Sequence, residues 1–328
     1  MRCSMSGLTI VLFLGIFLGP LAAQQAAKIP RIGYLSSNAP ETFRVDAFRQ
    51  ALQEFGWVEG QNLLVDYRSA DGQFARLPEL AAELVRLKVD VIVAVPTVSA
   101  LAAQQATRTI PVVFTHVSDP VGSGLVPSLA QPGGNITGFT HLNAELSPKR
   151  LAFLTEAMPN VTHIAALWHP GGLDDRTQKT MVQETEDAAR SLGVQLQFVA
   201  VRGPGDFDEA FAAMTSAHTG ALIVLPGPLL LAERRRIVDL AAQHHLPAVY
   251  FAREFVEAGG LMAYGANMAA LVQGAARSVD KILKGAKPAD LPVEQAARFE
   301  LLINLKTAQA LGLSLPPTLL FQATEVIQ

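Results

Sequence analysis

The chain has 328 residues, 50% of them hydrophobic and 17% charged, with a formal charge of −3. That length exceeds the usual size of one hydrophobic core and favours two domains. The weakly acidic balance offers no basic stripe of the kind nucleic-acid binding requires, and the one cysteine, Cys3, leaves no thiol chemistry, disulfide or thiolate metal site for the rest of the chain.

Arg2 gives a positive charge ahead of an uncharged apolar run over 8–18. Gly19 and Pro20 break that run, and Leu21-Ala22-Ala23 offers small residues for cleavage. This pattern predicts a secretory signal peptide over 1–23 and a soluble mature chain. As a membrane span the run is short, since about 20 apolar residues are needed to cross a bilayer.

Short apolar runs then alternate with amphipathic stretches, which argues for βαβ units and a parallel sheet. The predicted order begins with a strand over 32–35, a helix over 43–55 closed by Gly56, a strand over 63–67 and a helix over 77–87. A strand over 91–95, an alanine-rich helix over 98–106 and strands over 112–117 and 136–140 follow. After a short connection near 138–147 the rhythm repeats, with a strand over 163–168, a helix over 177–192, a strand over 195–201 and a helix over 207–215. Next come a strand over 221–225, a helix over 232–244 and strands over 248–251 and 261–265. A helix over 268–283, a strand over 299–304 and a short helix over 305–311 complete the series.

The two halves echo one another. Arg31-Ile32-Gly33-Tyr34-Leu35 parallels His163-Ile164-Ala165-Ala166-Leu167, and apolar runs ending at Pro96 and Pro226 come next in each. Two similar α/β lobes imply a cleft between them, where small ligands bind.

In open parallel sheets ligands bind beyond the carboxyl ends of the strands. Those ends carry Ser36, Ser37, Pro96, Thr97, Val98, Asp119 and Thr140 in the first half, and Trp168, His169, Pro226, Gly227, Arg253 and Glu254 in the second. Exposed helix N-termini in the first half suit a carboxylate or another anion. Thr97 or Ser99 is equally suited to capping the helix that follows. Asp119 suits an ammonium group or a turn before Pro120. Trp168 suits an aromatic slot or an inward-facing strand position. Arg253 suits an anion, or pairing with Glu254 or Glu257.

Enzyme chemistry finds no footing. The first strand is followed by Gly33-Tyr34-Leu35-Ser36, which is not a dinucleotide loop, and no phosphate-binding lysine loop occurs. Gly122-Ser123-Gly124 lacks the spacing of a nucleophile elbow. Adjacent His244 and His245 point in different directions on a helix, and His116 with Asp119 supplies too few ligands, so no metal and no cofactor are expected.

Several phrases together resemble one family. They are Ala-Phe-Arg-Gln-Ala-Leu at 47–52, Gly-Trp-Val-Glu-Gly-Gln-Asn at 56–62 and Ala-Ala-Glu-Leu-Val at 81–85, then Asp-Pro-Val-Gly-Ser-Gly-Leu-Val at 119–126, Pro-Gly-Gly-Asn-Ile-Thr-Gly at 132–138 and Phe-Val-Glu-Ala-Gly-Gly-Leu at 255–261. Over residues 30–328 the chain is similar to ABC-transporter substrate-binding proteins whose better-known members bind tryptophan or phenylalanine.

The resemblance implies the type I periplasmic-binding fold: α/β, with two Rossmann-like lobes of parallel sheet joined by a hinge of three crossovers. The expected lobes are 30–140 with about 267–290, and 141–266 with about 298–328. It implies a periplasmic, monomeric receptor that closes on a small polar or aromatic solute, such as an amino acid or carboxylate, and serves an ABC permease in the inner membrane. It carries over most directly to Ser36, Thr97 and Asp119. Relatives that bind amino acids tend to carry Asn at the place of His169 and a polar or acidic residue near Gly227. These departures open the cleft to a larger, less polar or anionic ligand. A ligand sensor of the same fold and an exported α/β enzyme are the competing readings; the enzyme lacks a nucleophile or acid–base pair.

Overall fold

The computed structural model describes residues 28–37, 42–141, 145–173 and 175–328. The predicted signal peptide lies outside the described residues. No described helix is long and apolar enough to cross a membrane.

The first sheet forms from β1 (Arg31–Ser36), β2 (Leu64–Ser69), β3 (Val91–Val95), β4 (Val112–Val117) and β5 (Ile136–Thr140), with α1 (Thr42–Glu54), α2 (Leu77–Arg86) and α3 (Thr97–Ala106) between them. The chain then enters a second set of elements. These are α4 (Ser147–Ala157), β6 (His163–Trp168), α5 (Asp175–Leu192), β7 (Gln195–Ala200), α6 (Phe207–Ser216) and β8 (Ala221–Val224). They continue with α7 (Pro228–Ala232), α8 (Arg234–Gln243), β9 (Ala248–Tyr250), α9 (Arg253–Glu257) and β10 (Met262–Ala266). It returns to the first lobe for α10 (Met268–Leu283) and β11 (Glu294–Gln295). It ends in the second with β12 (Phe299–Asn304), α11 (Leu305–Ala310), α12 (Pro317–Gln322) and β13 (Glu325–Ile327).

The sheet orders are β11-β5-β4-β3-β1-β2 and β13-β12-β10-β9-β8-β6-β7. Among the described residues every strand pairing is parallel except β10 with β12. The continuous apolar runs explain why. All five residues of β3 and all four of β8 are buried, as expected for strands covered by helices on both faces. Each sheet has a separate apolar cluster on each face. One face of the first holds Phe48, Leu52 and Leu271 and the other Leu80, Leu84 and Ala103. In the second sheet the two faces hold Phe207, Phe211 and Phe255, and Leu151, Leu154 and Met181.

Several elements differ from the sequence reading. The helix expected over 232–244 is two, α7 and α8, interrupted at Glu233. Pro228 starts the first early, because its fixed φ suits a first helical turn. Helix α4, which the alternation did not single out, buries Leu151, Phe153, Leu154 and Ala157 at helical spacing. Residues 253–257 turn into α9 directly after β9. Strands β11 and β13 have only two and three residues, too few to show a period.

The chain passes between the lobes after Thr140, at Asn267, and over 296–298. These passages are bonded to one another. The Ala296 amide donates to Thr140 O at 2.8 Å, and the Asn267 amide to Arg298 O at 3.0 Å. Asn267 Oδ1 caps α10 by accepting from the Ala270 amide at 2.9 Å, while Nδ2 donates to Glu300 Oε2 at 2.9 Å. Burial raises the Glu300 carboxyl, against the pull of Arg253 and Asn267. Arg150 on α4 is fully buried and donates from Nε to Tyr264 O at 2.7 Å and from Nη1 to Ser147 Oγ at 3.3 Å. Burial draws its guanidinium down to about 9.

At Gly138 in β5 a Cβ would lie 2.1 Å from Phe114 O of the neighbouring strand. Gly138→Ala must push β5 away from β4 just before the first crossover. It should destabilise the chain by about 2–3 kcal/mol, read as a lower urea midpoint with an unchanged slope.

Candidate functional site

Parallel strands place their carboxyl ends along one edge of each sheet, and the crossovers leave and enter there. The predicted site residues fall along these two edges, but their side chains do different things.

In the first lobe, Ser36 ends β1 and donates through a long 3.5 Å contact to Arg68 O. Ser37 is only 1% exposed. Its amide donates to Val95 O at 3.1 Å, whereas its buried Oγ has no hydrogen-bond partner among the described residues. Pro96, Thr97 and Val98 are half-buried at the start of α3. Neither Thr97 nor Ser99 caps that helix: no side chain does, and Ser99 Oγ donates back to Val95 O at 2.8 Å. The amides of Ser99 and Ala100 donate to Pro96 O at 3.0 and 3.1 Å, which leaves those of Thr97 and Val98 for an acceptor beyond the strand ends.

Asp119 makes a turn. Its Oδ1 accepts from the amides of Val121 at 3.1 Å and Gly122 at 2.7 Å. Thr140 is fully buried, and its hydroxyl donates to Ser118 O at 3.0 Å, which holds the ends of β4 and β5 together.

In the second lobe, Trp168 is half-buried and meets the edge of Phe198 on β7, with ring centroids 6.2 Å apart. It belongs to the apolar cluster on the α4 and α5 side of the sheet. His169 follows it. Its Nδ1 is buried without a partner and lies 2.6 Å from where a Cβ on Gly172 would sit. Burial holds this imidazole below its ordinary value, so it is neutral at pH 7.

Pro226 and Gly227 are buried at the end of β8. Gly227 has extended backbone, with φ −177°. A Cβ there would make only ordinary contact, 3.6 Å from His169 Cβ and 3.8 Å from Leu230 Cγ. Neither backbone nor packing demands glycine at this position, since a Cβ would sit at ordinary contact distance from its neighbours.

Arg253 and Glu254 serve α9 instead of ending a strand. Arg253 bonds Glu257 Oε1 at 2.9 Å, Glu300 Oε2 at 3.3 Å and Glu325 Oε2 at 2.9 Å. Its guanidinium is engaged by three carboxylates, so the pairing with Glu257 is realised and no anion needs it. Glu254 is 2% exposed.

Sequence reasoning missed a group that tertiary structure brings to Asp119. Thr177 and Arg176 on α5 approach from the second lobe. Glu145, in the first crossover, has its carboxyl raised by burial and then by Glu184 and Asp119. Burial, then Asp187, also raises Glu184. No sequence spacing relates these positions. Two surface grooves, of about 340 and about 240 Å³, lie elsewhere, one behind the crossovers beside Asn267 and Gly274 and one along α1 beside Trp57.

The fold has known counterparts. A conserved domain protein from Vibrio cholerae has a crystal structure with a TM-score of 0.82 and 29% identity, covering 91% of this chain and 100% of that one. An ABC domain from Streptococcus pneumoniae in complex with L-Trp superposes with a TM-score of 0.80 and 26% identity, over 91% of this chain and 99% of that one. The tyrosine-binding protein of Clostridioides difficile is 26% identical over 267 residues, which is 81% of this chain and 75% of that protein. Two lobes of mostly parallel sheet match structures of this architecture along nearly their whole length. The family described as ABC transporter substrate binding protein matches residues 36–327, and the chain belongs to it.

Proposed function

We propose that this protein captures an aromatic amino acid between its lobes in the periplasm and presents it to an ABC permease in the inner membrane. The observation that carries this reading is the Ser37 hydroxyl. It is buried at the carboxyl end of β1 without a partner, whereas buried polar groups are nearly always hydrogen-bonded. A bound ligand would supply the missing bond. His169 Nδ1, at the end of β6, is the matching orphan in the other lobe.

The surroundings fit a zwitterion. The open amides at the N-terminus of α3 suit the carboxylate. The neighbouring carboxyls of Glu145 and Glu184 favour the ammonium end. The relatives that carry L-Trp or are named for tyrosine support the aromatic class. A ligand that touches both lobes stabilises their closed arrangement, because it binds that arrangement better than the open one.

Calorimetry on chain from Gln24 onward, refolded to remove carried-over ligand, tests the reading with L-tryptophan, L-tyrosine, L-phenylalanine and the same acids without the amine. Binding by at least one amino acid is expected, and Ser37→Ala should weaken it about fivefold to tenfold, the usual scale of one hydrogen bond. Heat from none of them would overturn the aromatic amino acid assignment.

His169 gives a pH signature. In the unfolded chain its imidazole takes a proton near 6.5, but in the folded chain burial holds that value lower. Its contribution to stability is therefore present above 6.5 and is lost as pH falls through the folded value. Between about pH 7 and about pH 5 the melting temperature of the wild type should fall further than that of His169→Asn. Equal losses would mean the ring titrates alike in both states.

A further inference from the structure

Across the cleft the lobes touch at a contact that needs no ligand. The carboxylate of Asp119 is oriented by its own turn: Oδ1 accepts from Val121 and Gly122, and Ser123 Oγ donates to the Asp119 carbonyl at 2.6 Å. With Oδ1 so engaged, Oδ2 receives Thr177 Oγ1 of the second lobe at 3.5 Å. Thr177 is 5% exposed and sits in the first turn of α5. That turn is the positive end of an 18-residue helix, where a carboxylate is stabilised.

Gly122 completes the fit. A Cβ there would lie 2.0 Å from Asp119 Oδ2 and 3.2 Å from Arg176 Cδ of the second lobe. Only glycine lets the turn keep its shape while the stem of Arg176 lies against it. After burial and Glu184, Asp119 also raises the carboxyl of Glu145 in the first crossover, so like charge crowds the contact from that side.

We propose that Asp119 is a positioning residue. With Gly122 and Thr177 it forms a latch that holds the lobes together before the ligand arrives, and it does not grip the ligand's ammonium. The latch rests on the receptor reading above only in requiring that the lobes move. By keeping a fraction of the protein in the binding-competent arrangement, it raises apparent affinity in proportion to that fraction.

Residues after Cys3 include no cysteine, so labels can be placed freely. Nitroxides at Glu79→Cys on α2 and Lys179→Cys on α5, both exposed, report the separation of the lobes by double electron–electron resonance. The ligand-free chain should be mainly in the short-distance population. Thr177→Val should lower the ratio of short- to long-distance populations about threefold, the low end for a long hydrogen bond, and exposed Arg176→Ala should lower it in the same direction without changing the melting temperature. A ligand-free chain that is wholly open, or one that neither substitution alters, overturns the latch.

Asp119→Asn separates positioning from gripping, since an amide can still accept from the turn and can donate to Thr177. Its affinity for L-tryptophan should stay close to that of the wild type; a loss of about thirtyfold or more, the scale of a broken buried charge pair, would assign Asp119 to the ammonium instead. If L-tryptophan and L-tyrosine both fail to bind the wild type, the ligand reading fails. The distances without ligand still decide the latch.

Discussion

Asn267 bonds two strands of chain that run between the lobes. Its amide holds Arg298, its Oδ1 starts α10 and its Nδ2 holds Glu300. The Ala296–Thr140 bond adds the first passage to the other two. Everything functional in the molecule depends on this lashing, because the crossovers fix which strand ends face one another. Arg253 reinforces it from α9 through Glu300. The polar character of the bundle has a physical reason. Chain that leaves one sheet for another loses its ladder partners, so its amides and carbonyls must be satisfied across the passages.

From this frame the chemistry of the cleft divides by lobe. The first contributes backbone amides and hydroxyls at β1 and β3. The second contributes a neutral imidazole and a small residue at β8, while the Trp168 ring packs against Phe198. In the receptor reading proposed above, this division means that neither lobe completes a site alone, so occupancy and closure become linked. The Ser37 hydroxyl and the His169 ring nitrogen are buried without a partner among the described residues. The turn at Asp119 adds direct contact between the lobes, weak enough to be released. A receptor must open as well as close.

Much of this was legible in the residue pattern. Runs such as Val-Ile-Val-Ala-Val in β3 are apolar on both faces, and a strand buried on both sides has no other composition available. Gly56 closing α1 and the apolar spacing of α10 were equally plain. Phrases around Asp119 and Gly138 carried the family resemblance because both are backbone necessities: one is a side chain holding a turn, the other a close approach of two strands. Residues at strand ends could be nominated because parallel topology dictates where the ends gather. What each of them does there could not be read. Arg253 was an attractive anion ligand until Glu300 and Glu325, distant in sequence, took its guanidinium.

By itself, the sequence determined the local elements and the edges at which a ligand could sit, since these follow from hydrophobic periodicity and from residues bonded within a few positions of one another. Only the tertiary structure decided which polar groups were spent on the protein and which were left over. Thr140, Ser99 and Arg253 are consumed, while Ser37 Oγ and His169 Nδ1 are not. It also decided that Asp119 meets Thr177, a residue 58 positions away. Hydrogen bonds and charge contacts reach only a few ångströms, so their pairing is settled by where two separate sheets come to rest, and no spacing along the chain encodes that distance.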